Sequence, residues 1–246
     1  MSHQPYAGRT VAVTGASGSL GQALLQEFHR QGATLVALTS GDAALTLNDA
    51  TGQPLPLQQV RWSCGEEEAL RGTLERCDLL VINHGTNSHA DRSAEAVQRS
   101  LEVNALSAWR LLELFASLAQ ADAAGTPARE LWMNTSEAEI QAAVSPLYEI
   151  SKRLQGQLLS LRSLDLAGPQ LRIRRLVLGP FRSALNPIGV MSAGFVAREI
   201  LRQVSWNWSL VIVTPNPLTY LLMPLATISR WAYFRAMSRS SPEPGV

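Results

Sequence analysis

The sequence predicts a single-domain α/β fold: a doubly wound parallel sheet with helices on both faces. Two observations carry this. A β-branched run, a glycine turn, an amphipathic helical pattern and a second β-run follow one another within the first forty residues. Beyond them, short apolar β-runs keep alternating with helical patterns. Length agrees, since 246 residues with 46% hydrophobic content suit one domain, read as a core of about 8–215 and an apolar helix of about 217–237.

Composition excludes several classes. Net charge is +1 and no like-charge run exceeds Glu66-Glu67-Glu68, which argues against a nucleic-acid partner. Cys64 and Cys77 have no histidine at ligand spacing, so neither a disulfide framework nor a metal site is expected, and a reducing, cytoplasmic setting is. The first residues lack a charged, then apolar, leader pattern, so no signal peptide is expected. Residues 240–246 read as a loose tail.

In chain order, Thr10-Val11-Ala12-Val13-Thr14 is the first strand. A helix follows with Leu20, Leu24, Leu25 and Phe28 on its apolar side, and Ala33–Thr39 is the second strand. Between the first strand and the helix lies Thr14-Gly15-Ala16-Ser17-Gly18-Ser19-Leu20-Gly21. Glycines there permit a tight turn, let backbone amides approach a diphosphate, and let helix and strand pack closely. A plain strand–helix turn is the competing reading. Residues 43–62 read as a hairpin or irregular excursion, because Asn48–Gly52 is turn chemistry and Pro54 and Pro56 would damage a helix. Glu66–Arg76 reads as a short helix, Asp78–Ile82 as a buried strand, and a long helix starts near Ser93. Further strands are expected at Glu130–Asn134, Leu171–Leu178 and Ser209–Val213, with a covering loop and helix from Ala184 to about Val204.

The chemistry concentrates at Tyr148-Glu149-Ile150-Ser151-Lys152. Residues four apart share a helix face, so phenol and ammonium point into one space. A cation fixed there favours the phenolate and draws its pKa towards working pH, as a general acid/base requires. An ordinary surface aromatic–cation pair is the alternative. Lys152 is the only lysine in the chain, and a lone lysine would fall four places after one of four tyrosines roughly 2% of the time. That favours chemistry over surface decoration.

These elements together resemble the short-chain dehydrogenase/reductase family, from Thr10 to about Ser183. The glycine segment reads TGxxGxxG where the family's usual form is TGxxxGxG. Asn83-His84-Gly85 resembles NNAG with Ile82 replacing the first asparagine, and Gly179-Pro180-Phe181-Arg182-Ser183 resembles PGxxxT with Leu178 replacing the proline. Ser63 stands where many relatives carry an aspartate near the adenine. The resemblance implies a Rossmann-type sheet of about seven strands. It also implies a nicotinamide cofactor held by Thr14, Gly15, Ser17, Gly18, Ser19, Leu20, Gly21, Thr39, Ser40, Asn83, His84, Gly85, Tyr148, Lys152, Gly179, Pro180 and Ser183. By the same resemblance Tyr148 is the acid/base and Lys152 lowers its pKa and holds the ribose. Ser136 orients the carbonyl, with Thr135 as runner-up, and Asn104 closes a proton relay. His84 is read as packing or hydrogen-bonding rather than catalytic.

The second strand ends Leu38-Thr39-Ser40-Gly41 without an acid to repel a 2′-phosphate, which favours NADP(H) over NAD(H), although no obvious arginine stands beside these residues. The expected reaction interconverts a carbonyl and an alcohol on a lipophilic small molecule, with Phe181, Phe195, Trp206 and Trp208 on the substrate side. A cofactor-binding sensor and an epimerase or lyase on the same fold stay as alternatives. Family habit implies a homodimer or homotetramer, the helices around Leu112 and Leu158 being candidate interfaces. The segment 217–237 is not a membrane span, since Pro224 interrupts it and Arg230 and Arg235 punctuate it. It reads as a helix packed on the sheet or a second subunit, or as a basic amphipathic helix making peripheral membrane contact.

Overall fold

β1 (Thr10–Thr14) places Val11 and Val13 on one side of the sheet and Ala12 on the other, all fully buried. In this computed structural model, which describes residues 4–49, 51–123 and 125–239, seven strands form one all-parallel sheet ordered β3-β2-β1-β4-β5-β6-β7. Helix α1 (Ser19–Arg30) returns the chain to β2 (Thr34–Thr39), whose Thr34 and Leu38 lie opposite Thr10 and Thr14. Buried on both faces, these strands read as continuous apolar runs.

Among the described residues no helix joins β2 to the next strand. An irregular strap over 40–56 makes one antiparallel bridge, Asn48 to Pro54, and seats Leu47 and Leu55 against the α1 side of the core. The irregular excursion thus exists, but it stops earlier than the sequence suggests. β3 (Leu57–Arg61) follows as the sheet's edge, hidden in sequence because Gln58, Gln59 and Arg61 leave little apolar pattern on a strand that is nowhere fully buried.

Helix α2 (Arg71–Leu74) follows a single 3-10 turn, and β4 (Leu79–Ile82) is buried throughout. The long helix of the sequence reading is α3 (Ala94–Leu101) and α4 (Ser107–Ala121), joined by a π turn over Glu102–Leu106. Ser93 caps α3 by accepting from Ala96 N. β5 (Arg129–Ser136), α5 (Pro146–Leu166), β6 (Leu171–Leu178), α6 (Ala193–Ser205), β7 (Leu210–Val213) and α7 (Pro217–Met237) complete the chain. Strand order reverses between β1 and β4, opening a crevice at the strands' carboxyl ends.

The core has two layers. Leu24, Leu25 and Phe28 of α1 pack with Val196 and Ile200 of α6 on one face, and Leu111, Phe115 and Leu159 of α4 and α5 on the other. Two expectations need correcting. Trp206 and Trp208 do not face the substrate side: α6 runs back from the carboxyl edge, leaving them edge to face, ring centres 5.0 Å apart, beside the amino end of β7. Pro224 does not interrupt α7, which continues through it. No helix among the described residues is long and apolar enough to cross a membrane. Residues 240–246 lie outside the described residues.

Candidate active site

The glycine turn is built for close approach. Gly15 adopts φ +60°, and a Cβ on Gly21 would lie 2.3 Å from the Gly15 carbonyl oxygen. Gly18 begins α1 without any side-chain cap, and the first turn holds no acid. The first N–H groups of a helix have no intrahelical partner, so this end presents donors and a positive dipole end to an anion. Ser17, Gly18 and Ser19 are exposed around it, while Leu20 and Gly21 are buried and offer backbone alone. This cradle fits a diphosphate.

Thr14 needs correcting as a direct contact, for it is fully buried. Its hydroxyl lies 2.9 Å from His84 Nδ1 and accepts from Asn83 N at 2.8 Å. It therefore ties the end of β1 to the loop after β4. Asn83 accepts from Asn134 Nδ2 at 2.8 Å, and its amide faces the Thr14 and Gly15 carbonyls. His84 packs edge-on to Trp62, and burial pushes its pKa down to about 4, keeping the ring neutral. That is the packing and hydrogen-bonding role expected. Gly85 sits against Asn104 Oδ1, which a Cβ would approach to 3.1 Å.

At the far end of the crevice, Thr39 does not present its hydroxyl. It is buried, donates to the Gly41 carbonyl at 3.3 Å and accepts from Gln59 at 3.2 Å. Ser40 is exposed beside it. The arginine missing from the sequence reading comes from β3: Arg61 lies in register with Thr39 and pairs with Asp42 at 2.6 Å. Recognising β3 would have placed it.

The catalytic candidates converge where β5 ends and α5 begins. The Ser136 hydroxyl lies towards the Tyr148 phenol and accepts from Ala138 N at 3.2 Å, whereas Thr135 turns away and donates to the Leu176 carbonyl at 3.3 Å. The Lys152 ammonium lies 5.7 Å from the Tyr148 ring centre. It donates to Gln155 Oε1 at 2.9 Å and to the Asn134 carbonyl at 3.4 Å. Gln155, one turn beyond, was missed in sequence; its spacing of three from Lys152 is the only signal. Burial brings the Lys152 pKa down to about 8, against a smaller opposing effect of Glu139.

The expected lowering of the Tyr148 pKa is not what the protein alone produces. Burial raises it, the nearby Ser136 hydroxyl lowers it less, and Glu137 adds to the rise. Lys152 faces Gln155 rather than the phenolic oxygen, so desolvation wins. Asn104 is fully buried in the π turn, its amide bonded to Thr86 N and O and to Ser151. Its side chain braces the loop behind the site and does not reach Lys152. Gly179 donates to the Val213 carbonyl at 2.9 Å, and Ser183 closes a small turn with Asn186. Gly179, Pro180 and Ser183 thus lie on the loop leaving the carboxyl end of β6, which starts beside Ser136, the partner of Leu178 across the sheet.

A family model described as the NAD dependent epimerase/dehydratase family matches residues 11–140, more than half of the chain. The chain belongs to that family. Within such similarity, a monoglucosyldiacylglycerol epimerase of Synechocystis is 44% identical over 234 residues, covering 95% of this chain and 56% of the relative. This chain therefore spans little more than half the length of that relative. Human L-xylulose reductase is 29% identical over 212 residues, covering 82% of this chain and 77% of the relative. A short-chain dehydrogenase of Burkholderia cenocepacia, solved in complex with NADP, superposes with TM-score 0.75 at 17% identity, covering 95% and 99% of the two chains. The fold implied by the sequence resemblance, that of the short-chain dehydrogenases, is the one observed.

Proposed function

We propose that this chain moves hydride to and from a secondary-alcohol carbon of a sugar carried on a lipid, and inverts that carbon by oxidation and re-reduction of one substrate molecule. The observation carrying the redox chemistry is the convergence of Tyr148, Ser136 and Lys152 beside an uncapped glycine cradle. Similarity to the Synechocystis epimerase over 95% of the chain supports the glycolipid substrate and the net inversion, which the sequence reading had held as an alternative to net reduction.

A bound nicotinamide supplies a hydride acceptor and then a donor. The chain's own groups do the rest. Tyr148 takes the hydroxyl proton as the carbonyl forms and returns it to the same oxygen when the alcohol is restored. Ser136 donates to that oxygen while charge builds on it. Lys152, which donates to Gln155 in the protein alone, would hold the nicotinamide ribose and add the positive field that the phenol lacks. Asn104 keeps the loop of Gly85 and Thr86 in place behind the ring site. Ser40 and Arg61, the latter paired with Asp42, would hold the 2′-phosphate of NADP(H).

The test presents monoglucosyldiacylglycerol in mixed micelles with NADP⁺ far below substrate concentration. Inverted sugar accumulating beyond the cofactor present supports the reading. Oxidised sugar matching NADPH formed one for one, with no inverted product, would replace it with a net dehydrogenase. No conversion of glycolipid under either cofactor would refute it.

A further inference from the structure

Helix α7 is apolar on the wrong side. Its packed stripe is Thr219, Met223 and Arg230, held by α5, β7 and Glu139. Opposite that stripe, where a helix on a soluble surface turns polar groups outwards, stand Leu221, Leu225 and Ile228, at 61%, 57% and 64% exposure. Leu218 extends the strip, and Tyr220, Trp231 and Tyr233 flank it, each about half exposed. A contiguous exposed apolar strip of this kind marks an interaction surface.

We propose that α7 lies in the surface of an anionic lipid bilayer. Charge selects this occupant. The helix carries no aspartate or glutamate, and its charges are Arg230 and Arg235, with Arg239 just beyond. Arg230 is bound to Glu139 at 2.7 Å, while Arg235 lies over the Trp231 ring and Arg239 is exposed. A second copy of α7 would set arginine against arginine with no carboxylate on the helix to meet it. Anionic headgroups supply that charge, and ring-bearing side chains with polar tips suit the headgroup boundary. The helix cannot cross the bilayer, so it rests along it.

The helix is also joined to the site. Gln141 donates to Thr219 Oγ1 at 2.7 Å and accepts from Asn216 at 2.5 Å, and Glu137 accepts from Thr219 at 3.1 Å. These bonds fasten the start of α7 to the segment between Ser136 and Tyr148. On that segment Val144 is 99% exposed. Docking stands on α7 itself. Its use, presenting a headgroup sugar to Tyr148 while the acyl chains stay in the bilayer, rests on the glycolipid reading above.

The experiment is co-sedimentation with vesicles of phosphatidylcholine and of phosphatidylcholine with 30 mol% phosphatidylglycerol (about a third anionic, to engage the arginines). No glycolipid is present, so binding is read apart from turnover. Wild type is expected to pellet with the anionic vesicles at least tenfold more strongly than with the neutral ones, less so in high salt, with a blue-shifted tryptophan emission. Leu225→Glu with Ile228→Glu is expected to lose that binding by tenfold or more while still binding NADPH, which shows that it folds. Arg235→Glu with Arg239→Glu is expected to lose the preference for anionic lipid. Failure of wild type to bind, or equal binding by the Leu225→Glu/Ile228→Glu variant, overturns the proposal. So does a wild-type dimer that this variant dissociates without any lipid. Vesicle binding without epimerisation would sink only the glycolipid reading.

Discussion

Replacing Lys152 with methionine removes an ammonium that α5 buries without an ion-paired carboxylate among the described residues. Burial brings that ammonium from its ordinary 10.5 down to about 8. A gap of roughly 2.5 pK units corresponds to ~3 kcal/mol by which folding disfavours the charged lysine. The sign follows from proton counts. Between pH 8 and 10.5 the unfolded chain holds the lysine proton and the folded chain releases it, so the lysine's contribution to stability rises with pH across that window. Below pH 8 the whole penalty applies. Methionine lifts it but leaves Gln155 Oε1 and the Asn134 carbonyl without their donor, at about 1 kcal/mol each. The Lys152→Met protein should therefore be inactive yet more stable than wild type at pH 7, by about 1–2 kcal/mol. That advantage should shrink from pH 8, vanish near the middle of the window and reverse to a deficit of about 2 kcal/mol by pH 10.5, where only the lost donor counts. Urea unfolding of both proteins across this range, taken as a difference at each pH, isolates the lysine. Cys77 and Tyr148, whose folded pKa values are raised, titrate in the opposite sense in both proteins and cancel. A flat difference, or a variant less stable at pH 7, would refute the reasoning.

Three further predictions follow from the same geometry. Tyr148→Phe should lower kcat by about 10²–10⁴ while NADPH binding, read by fluorescence titration, stays near wild type; an unchanged kcat would remove Tyr148 as the acid/base. Gly156→Ala places a Cβ 1.8 Å from Glu139 Oε2, where Glu139 holds Arg175 at 2.9 Å, so urea unfolding should show a loss of about 1–3 kcal/mol. A neutral Gly156→Ala would mean that Glu139 is not pinned as described. Arg61→Glu should weaken NADPH by tenfold or more and leave NADH nearly unaffected; equal weakening of both would place Arg61 away from the 2′-phosphate.

Sequence pattern was informative wherever burial dictated residue type. β2, β4 and β7 are built on Val, Leu and Ile, and the glycine turn between β1 and α1 is a steric necessity, so these were legible. β3 was not, because an edge strand half-covered on its faces tolerates Gln58, Gln59 and Arg61, and with it went the arginine that stands in register with Thr39. The Tyr148–Lys152 spacing was readable, but the pKa of Tyr148 was not. Spacing says which side chains share a face, whereas the proton affinity depends on how much water is excluded and on where the ammonium finds its acceptor, here Gln155. Thr39 and Thr14 had suitable hydroxyls in suitable places, yet strand alternation and local acceptors turned both inwards. The choice of Ser136 over Thr135 was likewise a question of which face of β5 each occupies.

The strap that replaces a helix between β2 and β3 has a mechanical consequence. A crossover helix would clamp the outer strand through a stripe of side chains, but β3 is held by its bonds to β2, by Gln59 reaching the Ala43 carbonyl and Leu45 N, and by two anchoring leucines. Opening that edge exposes little apolar surface and so requires little of the global unfolding free energy. The β5 end is gripped from both sides, by eight residue pairs with β6 and by α5 above it. Amide exchange should accordingly be orders of magnitude faster across 40–61 than across 129–136. One end of the crevice can breathe to admit and release a nucleotide while the end that handles the proton keeps its shape.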